Sequence, residues 1–264
     1  MQTKPVSPFA SVVGLGALKS DHTPSAASRR NALLTNGAII AVGVVLAIGA
    51  LIWMSLASAS AGGRSGDGSF SFVLLCFGCL AMPLGLFGLV STLRTWQVGA
   101  ALYENGFAYK DGAGVRQVSW ADIESVWQNV TKHYRRGAYT GTSHVYTVQT
   151  KDKRRVVLND KLAGVEQLGN DILSHSAVLL LPAYWQSLQG GQRLAFGPLA
   201  IDQQGLYSGA KTLPWSEIKA IKIEQGVISV KKEGGWLNWA SVSVPQIPNF
   251  YVFYDLVRRF ATVE

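Results

Sequence analysis

Two cysteines, four histidines and a charged fraction of only 15% in 264 residues leave little material for several kinds of chemistry. Both cysteines, Cys76 and Cys79, fall inside one apolar run. The rest of the chain therefore has no disulfide framework, which suits a reducing compartment. Cys76-Phe-Gly-Cys79 has the spacing of a redox or metal pair. It sits in an apolar stretch with no His nearby, and it reads as small lipid-tolerant residues. His22, His133, His144 and His175 are scattered, with no third ligand at metal spacing. There is no G-x-S-x-G, no H-E-x-x-H and no glycine loop that opens a helix onto phosphate. The expectation is a protein without catalytic residues, cofactor or metal, and not an enzyme. A secretory leader is not expected either, because the first apolar run starts far from Met1 and is too long for an h-region.

Hydrophobic residues, by contrast, make up 48% of the chain. The excess lies in two uncharged runs, 37–57 and 70–93, separated by small and polar residues. A helix of about 20 residues crosses a hydrocarbon core of about 30 Å, so the two runs predict a transmembrane hairpin over 37–94. Pro83 should kink or loosen the second helix. Gly43 with Ala47 and Ala81 with Gly85 are small residues four apart, candidates for the seam between the helices. Arg29 and Arg30 precede the hairpin and Arg94 follows it, while Arg64 and Asp67 cancel in the linker. Positive residues stay inside, so both termini are expected in the cytoplasm. Trp53 and Trp96 lie near helix ends, as interfacial Trp often does. Residues 1–36, with Pro5, Pro8 and Pro24, show no sustained period and are expected to be a disordered tail. The formal charge of +8 is spread over the chain and mixed in sign beyond the hairpin. No nucleic-acid partner is expected.

The remaining chain repeats itself. Gly106 matches Gly205, Trp120 matches Trp215, and Asp122-Ile123 matches Glu217-Ile218. Leu162, Val165, Leu168 and Ile172 have the spacings of Ile247, Phe250, Phe253 and Val257, one apolar stripe of a helix in each copy. Asn249 after Pro248 is a plausible N-cap, and Arg258 and Arg259 suit a helix C-terminus. Between these landmarks lie short β segments: 115–119, 124–131, 143–150 and 155–159, then 220–224, 227–231 and 240–244. Gln225-Gly226 and Glu233-Gly234-Gly235 are expected hairpin turns. This predicts two units, 97–189 and 191–264, each an antiparallel β-sheet or barrel closed by a C-terminal helix.

On these residues the chain resembles bacterial pleckstrin-homology-like (PH-like) domains. The segments L-P-W-S-E-I at 213–218 and W-L-N-W-A-S-V-S-V-P-Q-I-P-N-F at 236–250 resemble an uncharacterised bacterial family. That family has a two-helix membrane hairpin followed by two such modules. The resemblance spans about residues 37–264 and implies an α+β membrane protein of the bacterial cytoplasmic membrane, crossing it more than once. It implies no catalytic residue.

Trp120 and Trp215, at matched corners, are expected to be core side chains. Lys132, Arg135 and Arg136, with Tyr134, form a basic loop suited to anionic lipid or to a partner. Lys151, Lys153, Arg154 and Arg155 form a second basic loop, more simply a solvated turn. Trp236 and Trp239 beside Lys231 and Lys232 are the other candidate contact. The expected function is a non-enzymatic membrane-anchored PH-like binding module or scaffold with an unidentified protein partner. The alternative is an accessory subunit of a membrane transporter or enzyme complex.

Overall fold

The computed structural model describes residues 9, 12–24, 26–59, 67–95 and 98–264. The chain is α+β, with four antiparallel sheets and four α-helices among the described residues. It divides into two compact units, one holding the two long N-terminal helices together with Lys110–Gly114 and the other holding the rest of the sheets.

The helical unit pairs α1 (Ala26–Ala59) with α2 (Asp67–Thr95). Gly43 and Ala50 on α1 and Gly85 on α2 are buried. A Cβ on Gly85 would lie 2.5 Å from the Ile40 side chain, so this glycine permits the close approach. Asn36 Nδ2 donates to Thr92 Oγ1 across the pair at 3.0 Å. Large side chains point the other way: Val45 is 68% exposed, Leu84 67% and Phe87 76%. Pro83 lies inside α2 as expected. One helical stretch among the described residues, Arg30–Trp53, is long and apolar enough to cross a membrane; Leu80–Leu93 is a shorter apolar stretch.

In the sheet unit one order of elements occurs twice. First come β1 (Leu18–Asp21), β2 (Gly99–Tyr103), β3 (Gly106–Asp111) and β4 (Gly114–Ser119), a sheet of four in sequence order. A 3-10 turn at Trp120–Asp122 leads to β5 (Ile123–Arg135), β6 (Ala138–Thr150) and β7 (Arg155–Asn159), a sheet of three, and then α3 (Val165–Gln189). The order returns as β8 (Leu194–Phe196), β9 (Leu199–Ile201), β10 (Gly205–Ser208) and β11 (Lys211–Pro214). A 3-10 turn at Trp215–Glu217, β12 (Ile218–Glu224), β13 (Val227–Lys232), β14 (Asn238–Ser243) and α4 (Phe250–Val257) complete it. No described sheet closes into a barrel.

Matched residues do matched work. A Cβ on Gly106 would sit 2.2 Å from the Val118 carbonyl, and one on Gly205 would sit 2.3 Å from that of Leu213. Trp120 Nε1 donates to Glu104 O at 2.8 Å, and Trp215 Nε1 to Asp202 O at 2.9 Å. Trp120 stacks on His175 at 4.9 Å, and Trp215 on Phe260 at 4.9 Å. The two stripes are buried as the spacing predicts, from Leu162 to Ile172 and from Ile247 to Val257, but Leu162 and Ile247 lie before the helices, which begin at Val165 and Phe250. Gln225 and Gly226, both with positive φ, make the tight turn between β12 and β13.

Three expectations need correction. The segment before the hairpin contains structure: β1 pairs with β2, Asp21 opposite Ala101. Phe9, Leu15 and His22 are buried there, and Tyr103 Oη donates to Phe9 O at 2.7 Å. His22 lies 2.8 Å from Ala163 O through Nδ1 and 2.8 Å from Ser20 Oγ through Nε2. A carbonyl only accepts, so Nδ1 carries a proton and donates to Ala163 O. The helical hairpin is therefore inserted between two neighbouring strands, at the place where β8 and β9 are joined by Gly197-Pro198 alone.

The second correction concerns α3. Its N-terminal half covers the first three-stranded sheet, but Leu188, Leu180, Leu181 and Tyr184 pack into the core of the second. The two sheet-and-helix assemblies thus share a helix and belong to one compact unit. The third concerns Asn249, whose side chain makes no cap bond to α4. It stands at φ 51° and is 4% exposed. Its Oδ1 accepts from Val126 N–H at 2.9 Å, and its Nδ2 donates to Glu124 O at 3.1 Å and Tyr184 Oη at 3.2 Å. Its own N–H donates to Val126 O at 2.8 Å. The local Pro-Asn pattern marks the start of α4, while the side chain serves the edge of β5.

Candidate contact surfaces

The basic segment at 132–136 is mostly strand rather than loop. Strands β5 and β6 run 13 residues each, but β7 pairs β6 only over Val145–Gln149. Beyond that overlap the two strands form a ribbon, exposed throughout 131–140. Only Arg136 (φ 51°) and Gly137 (φ 82°) make the turn. Lys132 stands opposite Thr142, and Tyr134 opposite Tyr139, with ring centroids 6.0 Å apart. Arg135 lies beside the turn. Residues 129–143 include no carboxylate, so the tip is positive. His133 hydrogen-bonds Ser143 within this ribbon.

His144 stands elsewhere, 3.3 Å from an Asp160 oxygen through Nδ1 and 3.7 Å from Glu166 through Nε2. No group of three His, Cys, Asp or Glu among the described residues could hold a metal ion.

The second basic segment is answered locally. Asp152 binds Thr150 Oγ1 and the Arg154 guanidinium. These bonds, Thr150 first, hold its carboxyl below the usual range. Lys153 Nζ donates to Glu124 at 2.6 Å, and this bond with that from Gln149 lowers the Glu124 carboxyl likewise. At Asp202 burial alone would raise the carboxyl. Bonds from Tyr207 and the backbone of Gln204 and Gly205, with the Arg193 charge, bring it below the usual range.

The β13–β14 loop holds the corresponding place in the second assembly. Glu233 N–H donates to Glu217 O at 2.9 Å, as Lys151 N–H donates to Asp122 O at 2.8 Å. Lys232 Nζ pairs with Glu217 at 2.8 Å. Further along, the two loops diverge: Trp236 is 100% exposed and Leu237 84%. The two candidate tryptophans are thus unequal, because Trp239 is half-buried against the core of the second assembly. A groove of about 400 Å³ lies between Trp127, Asn129, Val145, Thr147, Arg155 and Pro245. There the Arg155 guanidinium is 5.8 Å from the Trp127 ring centroid.

Arg29 and Arg94 lie on the backbones of α1 and α2 and Arg30 is exposed on α1; the side chains of Arg29 and Arg94 and all of Trp96 fall outside the described residues. Sequence reasoning missed the tertiary roles of His22, bonded to Ala163 O, and Asn249, bonded to the edge of β5. The deficit of one strand in the first copy pointed to the former, and no local pattern pointed to the latter.

The fold defines an α+β protein of two similar sheet-and-helix assemblies, with a long apolar helix between the first two strands of the first. The chain belongs to a family of unknown function, DUF6585, whose model matches residues 8–263. No curated protein matches it in sequence.

Proposed function

We propose that the chain is a non-enzymatic binding module or scaffold, anchored in the bacterial cytoplasmic membrane by both helices, with tandem PH-like units on the cytoplasmic side. The observation that carries the reading is the inverted packing of the helical pair. Glycine and alanine face the seam while Val45, Leu84 and Phe87 face outward. That arrangement buries little in water and suits lipid, where small residues let helices approach and aliphatic side chains meet acyl chains. Four strands, three strands and a closing helix, twice over, support the PH-like reading. The ribbon bearing Lys132, Arg135 and Arg136 is the surface offered to anionic lipid or to an acidic partner.

The accessory-subunit alternative needs the small-residue faces for a partner's helices. Those faces meet each other here, and Asn36 is satisfied by Thr92, which favours a self-contained anchor. Purification in mild detergent after an alkaline membrane wash tests the reading. The expected result is a chain that resists the wash and carries no stoichiometric membrane partner. Release by the wash, or one fixed integral partner, overturns it.

A further inference from the structure

The twofold order of elements supplies an internal control for every surface loop. Between β6 and β7 the turn is Lys151-Asp152-Lys153-Arg154, whose polar groups bind one another and Glu124. Between β13 and β14 the same place holds Glu233-Gly234-Gly235-Trp236-Leu237. Both turns are anchored by the same backbone bond, to Asp122 O in one and Glu217 O in the other. The fold therefore closes this turn with polar residues alone, and it does not require Trp-Leu. Trp236 is 100% exposed and Leu237 84%, so neither contributes to the core beneath. Gly234, at φ 67°, lets the loop fold back and leaves the pair protruding.

We infer that Trp236 and Leu237 are a membrane-insertion tip that seats the second assembly on the bilayer surface. This rests on the membrane anchoring proposed above. The tip is convex, carrying a Trp beside an aliphatic side chain, which is the shape and chemistry that enter the headgroup and acyl boundary. Around it Lys232 is paired with Glu217, and Lys219 and Lys231 face Glu264, so the tip presents apolar side chains on a charge-balanced base.

The test uses the full chain with Cys76→Ser and Cys79→Ser. An environment-sensitive fluorophore is attached at Leu237→Cys or, as the matched control, at Asp152→Cys. Both proteins are reconstituted into vesicles of phosphatidylcholine and phosphatidylglycerol with and without a nitroxide-labelled lipid. The expected result is a blue-shifted emission at 237 and severalfold stronger quenching by the labelled lipid than at 152. Equal, water-like emission at both positions overturns the proposal. So does a blue shift at 237 that the labelled lipid leaves unquenched, since that reports burial against protein. An alkaline wash of the same vesicles separates the two readings. Protein lost in the wash means that the anchoring fails, whereas protein retained with a water-exposed 237 means that only the tip fails.

Discussion

Changing Asn249 to alanine removes a side chain that ties α4's entry to the edge of β5. Three hydrogen bonds go with it, to Val126 N–H, Glu124 O and Tyr184 Oη. The site is buried, with Val126 1% exposed and Asn249 4%. Water cannot readily replace the lost partner, and each orphaned backbone group costs about 1–3 kcal/mol. The backbone adds a second cost. Asn tolerates the left-handed conformation at φ 51°, whereas alanine there costs about 1 kcal/mol more. The Asn249 N–H bond to Val126 O survives, because it is main chain. The sum is about 3–7 kcal/mol lost in Asn249→Ala. Asn249→Gly loses the same three bonds without the conformational cost, so it should recover about 1 kcal/mol.

Urea unfolding of the full chain in mild detergent reads both numbers as shifts in midpoint at constant slope. A second readout is cooperativity. With the clamp gone, the first and second three-stranded sheets remain coupled through α3, so the transition should stay single with an unchanged slope. An Asn249→Ala protein within about 1 kcal/mol of the parent would refute the reasoning. So would equal stabilities for the alanine and glycine variants, because the left-handed backbone would then carry no cost.

Tyr146 sets an alkaline limit. It is 1% exposed, and burial, with Glu166, Tyr251 and Asp160 nearby, pushes its phenol up to about 12. A raised value means that the folded state holds the proton longer than the unfolded chain does. Its contribution is whole below about pH 10 and is lost as pH rises towards 12, about 2–3 kcal/mol in all. Thermal melts across that range should fall less steeply in Tyr146→Phe. A second expectation concerns the inserted hairpin. Joining residue 22 to residue 99 through Asn-Gly should give a folded, water-soluble protein, because β1 and β2 remain paired. Starting the chain at residue 97 should lower the melting temperature well below that of the joined form, and equal melting temperatures would show that β1 is dispensable.

Much of the sheet unit was legible because its signals are local. A helix that buries one side writes that side at intervals of three and four, whatever it packs on, so Val165 to Ile172 and Phe250 to Val257 were readable. Gly106 and Gly205 were readable as a pair because the crowding carbonyl recurs with the turn itself. The contact surfaces were legible only as residue types. Composition places Trp236 and Trp239 together, and only tertiary packing leaves one half-buried against the core and the other a protrusion. Lys132, Arg135 and the second basic segment looked alike as well, until Asp152 and Glu124 answered the charges of one and nothing acidic lay in the other.

The strand at Leu18–Asp21 was hidden for a different reason. Its four residues have no alternation of apolar and polar, and three of the four are exposed. What holds it is the β2 backbone, an irregular register between Leu18 and Ser20, and anchors at Phe9, Leu15 and His22 too widely spaced to form a period. Yet the second copy contained the clue. It opens with β8 and β9 before Gly205, whereas the first copy shows only β2 between the hairpin and Gly106. A fold repeated with one strand missing must take that strand from elsewhere in the chain, and the only unassigned segment preceded the helices. An insertion splits a repeat without breaking its strand count, so the count detects what alignment from Leu102 onward cannot.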